Sequence, residues 1–142
     1  MELRQDSLGF LLTDVSRLMR RAFQQRLEGS SLTLAQARAL VYVSRHEGVR
    51  QVDLAEMLEV QPITLARLID QLTDAGLVER RPDPNDRRAY RVFLTPAAAP
   101  HLAAIEQVAA VIRTVALHDL DKQQAATLLL ALNKMRDNLA SR

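Results

Sequence analysis

The chain has 142 residues, 48% hydrophobic and 25% charged, which suits one folded domain with appended helices and excludes a disordered polymer. It contains no cysteine, so disulfides, a thiolate nucleophile and cysteine-ligated metal or iron–sulfur sites are excluded. The net charge is only +2, yet every basic residue except Lys122 and Lys134 is an arginine, whose planar donor fork suits phosphates and guanine edges. There is no apolar run long enough to span a membrane and no leader-like N-terminus, so the expectation is a cytoplasmic protein without a membrane partner.

Three sections follow in chain order. Residues 1–32 read as an N-terminal helix and a loop. Leu8, Leu11, Leu12, Val15, Leu18, Met19, Ala22 and Phe23 step by three and four, the period of one helix face. Asp6 or Ser7 can cap its start, and Gly29, Ser30 and Ser31 mark its end.

Residues 33–95 differ in texture. Thr33 is placed to cap a helix through about His46, with Leu34, Ala37, Leu40, Val41 and Ser44 on one face and Gly48 beyond it. A short helix is expected from about Gln51 to Leu58. After a break at Glu59, Val60 and Gln61, Pro62 opens another helix that runs to about Ala75 with Leu65, Leu68, Ile69 and Leu72 inward. Two strands are expected over Leu77–Arg81 and Tyr90–Thr95. The proline- and aspartate-rich residues 82–88 turn between them, with Asp86, Arg87 and Arg88 at the tip.

Residues 96–142 return to helix. Thr95 and Pro96 suggest a start, whereas Pro100 predicts a kink or a start nearer Ala99. Leu102, Ile105, Ala109, Ile112, Val115 and Ala116 form its stripe. A last helix is expected over about Asp121–Ala140. The fold class is thus mainly α: a winged helix-turn-helix with a short β-hairpin wing, embedded in a helical dimerisation domain. Residues 1–32 and 96–142 would dimerise, and 33–95 would bind DNA.

That order of elements places the Pro62 helix in a major groove, where base edges carry a full donor and acceptor code. The face opposite Leu65, Leu68, Ile69 and Leu72 presents Gln61, Ile63, Thr64, Arg67 and Gln71. Arg67 can fork onto guanine O6/N7, Thr64 can bond a phosphate or base, and Ile63 can touch a thymine methyl. Arg87 and Arg88 can enter a narrow A·T-rich minor groove, while Asp86 is suited to orienting a neighbouring arginine. The charge balance tempers this picture. Residues 51–100 hold six arginines and eight acids, so modest non-specific binding and a limited salt slope are expected.

The segment LAEMLEVQPITLARLIDQLTDAGLVERRPDPNDRRAYRVFLT (54–95) resembles the winged-helix core of the MarR family of bacterial transcription regulators. The resemblance rests on Leu54-Ala55, Val60, Thr64, Arg67-Leu68, Asp70, Leu72, Gly76-Leu77-Val78, Arg80, Asp86-Arg87-Arg88 and Leu94-Thr95 taken together. Ala98, where members usually carry glycine, and Pro100 are similar to the SlyA-like branch. The resemblance implies a homodimeric repressor on a pseudo-palindromic DNA operator, with Arg67 reading bases and Arg88, with Arg87, in the minor groove. It also implies a small lipophilic or aromatic-acid effector, an anion held between the dimer helices and the DNA-binding lobe. No effector residue is assigned.

No catalytic constellation accompanies these features. A Ser/His/Asp series in a recognisable setting, a glycine-rich phosphate loop and an H-E-x-x-H motif are all missing, so an enzyme is not expected. His46, His101 and His118 lack metal-ligand spacing, so neither a metal nor a cofactor is expected. The competing reading is a winged-helix protein-interaction adaptor without DNA sequence preference, suggested by the acidic balance of residues 51–100.

Overall fold

The computed structural model describes residues 7–141. Helix α1 spans Leu8–Arg26, and the Ser7 hydroxyl accepts from the Phe10 N–H at 3.5 Å. Asp6, the alternative cap, lies outside the described residues. No residue of α1 is buried. Its attachment lies at the far end, where half-buried Phe23 and buried Leu27 join the core.

Helix α2 (Leu34–Arg45) starts with a reciprocal cap. The Gln36 N–H donates to Thr33 Oγ1 at 3.2 Å, and the Thr33 N–H donates to Gln36 Oε1 at 3.0 Å. It buries Ala37, Ala39, Leu40 and Val43. Ser44, expected inward, is exposed and donates to the Val41 carbonyl, while Val43 takes the core position. Burying the hydroxyl would strand a polar group that the neighbouring valine does not carry.

Gly48 then turns the chain with φ +85°, a left-handed conformation that glycine adopts without strain. A Cβ there would lie 3.3 Å from the Phe93 ring. The turn delivers strand β1 (Val49–Arg50), which periodicity does not reveal because two residues carry no alternation. Helices α3 (Gln51–Leu58) and α4 (Pro62–Asp74) follow, as expected. Glu59 closes α3 in the left-handed region at φ 56°, and its N–H donates to the Ala55 carbonyl. Pro62 occupies the first turn of α4, where its missing N–H costs nothing.

Strands β2 (Val78–Asp83) and β3 (Asp86–Leu94) complete an antiparallel sheet of order β1-β3-β2. Both strands reach further toward the turn than the sequence suggests. The tip is Pro84–Asn85, and Asp86, Arg87 and Arg88 belong to β3. Proline and aspartate are read as turn residues, but here Pro82 faces Tyr90 across the ladder and Asp83 faces Asp86.

Helix α5 spans Ala98–Ala116, so Pro100 falls in its first turn and no kink is needed. Thr95 is not its side-chain cap. The Thr95 hydroxyl donates to the Gly76 carbonyl instead, joining the strand end to the turn after α4. Helix α6 (Lys122–Ala140) begins with a capping box between Asp121 and Gln124, with hydrogen bonds of 2.8 and 3.0 Å. The chain divides into two compact units, one through Ala109 and one from Ala110. In the first, Leu40, Val43, Leu54, Leu65, Ile69, Leu72, Val78 and Val92 are fully buried. At about 1.5–3 kcal/mol for each large side chain removed from water, this cluster is what fixes α4 against α2, α3 and the sheet.

Candidate nucleic-acid interface

The exposed ridge of α4 follows from its buried one. Leu65, Ile69 and Leu72 face the core, and at about 100° per residue Ile63 and Arg67 fall on the opposite side. Both are exposed, as are Gln61, Thr64 and Gln71. Each flank of that ridge is fastened. On one side Arg80 Nη1 lies 2.7 Å from Asp70 Oδ1, while its Nη2 donates to the Ala66 carbonyl at 3.0 Å. On the other, Gln36 Nε2 donates to Gln71 Oε1 at 2.8 Å. Gln71 is therefore engaged through its oxygen by α2, which leaves its amide NH2 as its donor toward solvent. Arg80 also donates from Nε to Gln51 Oε1 at 2.8 Å, so one guanidinium joins β2, α3 and α4. Three nitrogens of a rigid fork, used on two helices, hold the wing at a set angle to them.

Gln61 stands at the N-cap of α4 with extended backbone, and its side chain makes no capping bond. The first-turn N–H groups of Ile63 and Thr64 thus point outward from the positive end of the helix. Asp74 shares the ridge with Arg67 about 10 Å further on, at the helix C-terminus. A carboxylate there repels phosphate, so the usable part of α4 lies N-terminal to Asp74.

The wing departs from a regular hairpin at the residues of interest. Between the pairs Pro82↔Tyr90 and Asp83↔Asp86, β2 advances one residue while β3 advances four. Arg87, Arg88 and Ala89 form the surplus, a bulge that re-aims side chains out of the ladder. Asp86 Oδ1 accepts from the Arg88 N–H at 3.0 Å. Asp86 therefore orients Arg88 through its backbone rather than through its guanidinium. Arg87 and Arg88 are exposed. Among the described residues, neither they nor Arg67 have an ion-pair partner for the guanidinium.

Helix and wing share one depression. A cleft of about 320 Å³ is lined by Gln51, Val52 and Pro62 from the helices and by Asp86, Arg88 and Tyr90 from the wing. Three of the eight acids that depress the charge of residues 51–100 face arginines. Asp70 pairs with Arg80, Glu79 with Arg81, and Asp83 lies 3.4 Å from both Arg50 and Arg91. Arg81 also lies 3.9 Å over the Phe93 ring, on the outer face of the sheet. Asp53 and Glu56 line a different depression, with Val49 and Met57. Sequence reasoning missed Arg50, Asp83 and Arg91. The Asp-Pro-Asn run signalled a side-chain-closed turn, but nothing local pointed from Asp83 to Arg50 across 33 positions.

Two helices joined by a three-residue turn, the second with an exposed ridge that carries the unpaired Arg67, and then a hairpin wing define a winged helix-turn-helix DNA-binding module. Comparison with known proteins narrows this. The MarR family model matches residues 32–90. A structure of the multiple antibiotic resistance repressor MarR is 30% identical, with 91% of this chain and 94% of that one covered and a TM-score of 0.80. Another MarR crystal structure superposes with a TM-score of 0.86 at 25% identity, covering 97% of this chain and 94% of that one. A cysteine-to-serine mutant of MarR from E. coli, solved in complex with operator DNA, is 29% identical with a TM-score of 0.72 over 90% of this chain and 92% of that one. The chain belongs to the MarR family. It is a transcription regulator and not an enzyme.

Proposed function

We propose that the protein is a homodimeric repressor that reads a pseudo-palindromic operator, each protomer inserting α4 into a major groove and its wing into the flanking minor groove. The observation that carries this reading is the shared cleft, which sets the start of α4 against Arg88 while Arg67 stands unpaired on the adjoining ridge. Arg67 reads a guanine, Ile63 and Thr64 meet neighbouring bases or phosphate, and Gln61 and Gln71 border the contact. Arg88, with Arg87 beside it and Asp86 shaping the turn, enters the minor groove. Residues 33–95 act as the DNA-binding lobe and residues 1–32 and 96–142 as the dimerising parts.

Exposed apolar faces support the dimer. Leu8, Leu11, Leu12, Val15 and Leu18 of α1 are all at least 40% exposed. Leu128, Leu129 and Leu130 of α6 are likewise exposed. Faces of this kind are uncommon on monomers and ordinary in obligate dimers. Buried Ala98, where glycine is usual in the family, supports a place in the SlyA-like branch. A cytoplasmic site follows from the DNA target, and among the described residues no helix is long and apolar enough to cross a membrane. The resemblance to the family is the support for release by a small lipophilic or aromatic-acid effector. Such release requires that the effector prefer a spacing of the two lobes that DNA does not.

Selection of bound fragments from random and genomic DNA tests the reading. The expected winner is a pseudo-palindrome whose half-sites lie about 34–36 Å apart, one helical turn. Absence of any preference at low and moderate salt, together with a co-purifying protein, would favour the adaptor instead. Arg88→Ala is expected to weaken binding about tenfold at sites with A·T-rich flanks and less at G·C-rich flanks, measured by titration of paired operators. Equal loss on both flanks would make Arg88 a phosphate contact.

A further inference from the structure

The wing holds a buried charge that the contact surface does not use. Asp83 is 6% exposed, the only polar or charged residue in the buried class among those described. A carboxylate removed from water is costly unless paired and hydrogen-bonded. Its two oxygens are divided accordingly. Oδ1 accepts from the Asn85 N–H at 2.9 Å, which closes the turn. Oδ2 lies 3.4 Å from Nε of Arg50 on β1 and 3.4 Å from Nε of Arg91 on β3. Arg91 is itself anchored, because its Nη1 donates to the Gly48 carbonyl at 2.9 Å. Arg50 Nε is shielded from solvent and makes no hydrogen bond, so the Asp83 carboxylate is its charge partner.

One side chain at the end of β2 thus ties the turn to the other two strands. It stands where the register breaks, since Asp83 faces Asp86 and the next pair toward the base is Pro82↔Tyr90. The ladder stops at Asp83, so Arg87, Arg88 and Ala89 become the bulge. A slip of one residue would turn those side chains to the other face.

We propose that Asp83, clasped by Arg50 and Arg91, is a positioning residue that fixes the wing bulge and thereby aims Arg88 at DNA. The claim rests on the minor-groove role given to Arg88 above. Simple electrostatics predicts the opposite sign: removing a carboxylate makes the wing more basic and should tighten binding to any DNA.

Two measurements on full-length protein separate these ideas, with Asp83→Ala and the isosteric Asp83→Asn. In hydrogen exchange without DNA, Asp83→Ala should speed the amides of residues 85–90 about tenfold while α4 amides keep their protection. If Asp83→Ala loses protection throughout α4, the same comparison is made on Asp83→Asn. In titrations of A·T-flanked and G·C-flanked operators, Asp83→Asn should lose most of the flank preference, with binding to G·C-flanked DNA unchanged or tighter. Adding Arg88→Ala to Asp83→Asn should then cost less than about twofold more, as expected for residues acting as one unit. Unaltered wing exchange, a retained flank preference, or additive losses in the double variant would each overturn the proposal. A wild-type protein without flank preference would overturn the minor-groove reading of Arg88, and the exchange measurement would still decide whether Asp83 pins the wing.

Discussion

Arg67→Ala is expected to weaken operator binding by about 1–3 kcal/mol, roughly 5- to 150-fold, and to relax base preference at one position in each half-site. The size follows from the geometry of the ridge. Arg67 projects directly away from Leu65, Ile69 and Leu72 and spends its guanidinium on no ion pair among the described residues. Its two flanks are held by Arg80 with Asp70 and by Gln36 with Gln71, so the helix presents it without first having to reorganise. A bidentate contact discriminates between bases, whereas a phosphate contact would weaken all sequences alike. Titration of the selected operator and of variants substituted at each position checks both parts. Intact specificity would move base reading to Gln61 or Thr64, and uniform loss would make Arg67 a phosphate ligand.

Leu65→Ala is expected to destabilise the folded protein by about 2–5 kcal/mol, a large share of the 5–15 kcal/mol typical of a domain. Leu65 is fully buried at the first inward position of α4, within the cluster that includes Leu40, Leu54, Ile69 and Leu72. Truncation removes the packed methyls and leaves a cavity that α2 and α3 cannot both close. Ile63→Ala, two residues earlier and 68% exposed, should change stability by less than about 0.5 kcal/mol. Denaturant melts of both variants at one fixed protein concentration make the comparison, because a dimer's stability depends on concentration. Equal losses would mean that α4 is rotated relative to its assigned face.

Most of the helical framework was legible because its signals are local. The stripes at three- and four-residue spacing, the cap at Thr33 and Pro62 at the head of α4 each act over a few residues, and the helices lie where those signals place them. The exposed face of α4 was legible for the same reason: once Leu65, Ile69 and Leu72 are inward, Arg67 must be outward. The pairing of Asp70 with an arginine at the base of the wing was also accessible, since both ends border the same turn.

What only the tertiary structure decided involves contacts between distant segments. Strand β1 exists because β3 pairs with it, not because two residues prefer extended backbone. The wing tip is Pro84–Asn85, and the arginine pair bulges from β3, because the Asp83 carboxylate finds Arg50 and Arg91 across the sheet. Composition could count the acids of residues 51–100 but could not say that Asp70, Glu79 and Asp83 are matched to arginines. Local sequence sets helix ends and faces through interactions over three or four residues. Strand register and charge pairing depend on partners brought near only by the closed chain, and no local pattern carries that information.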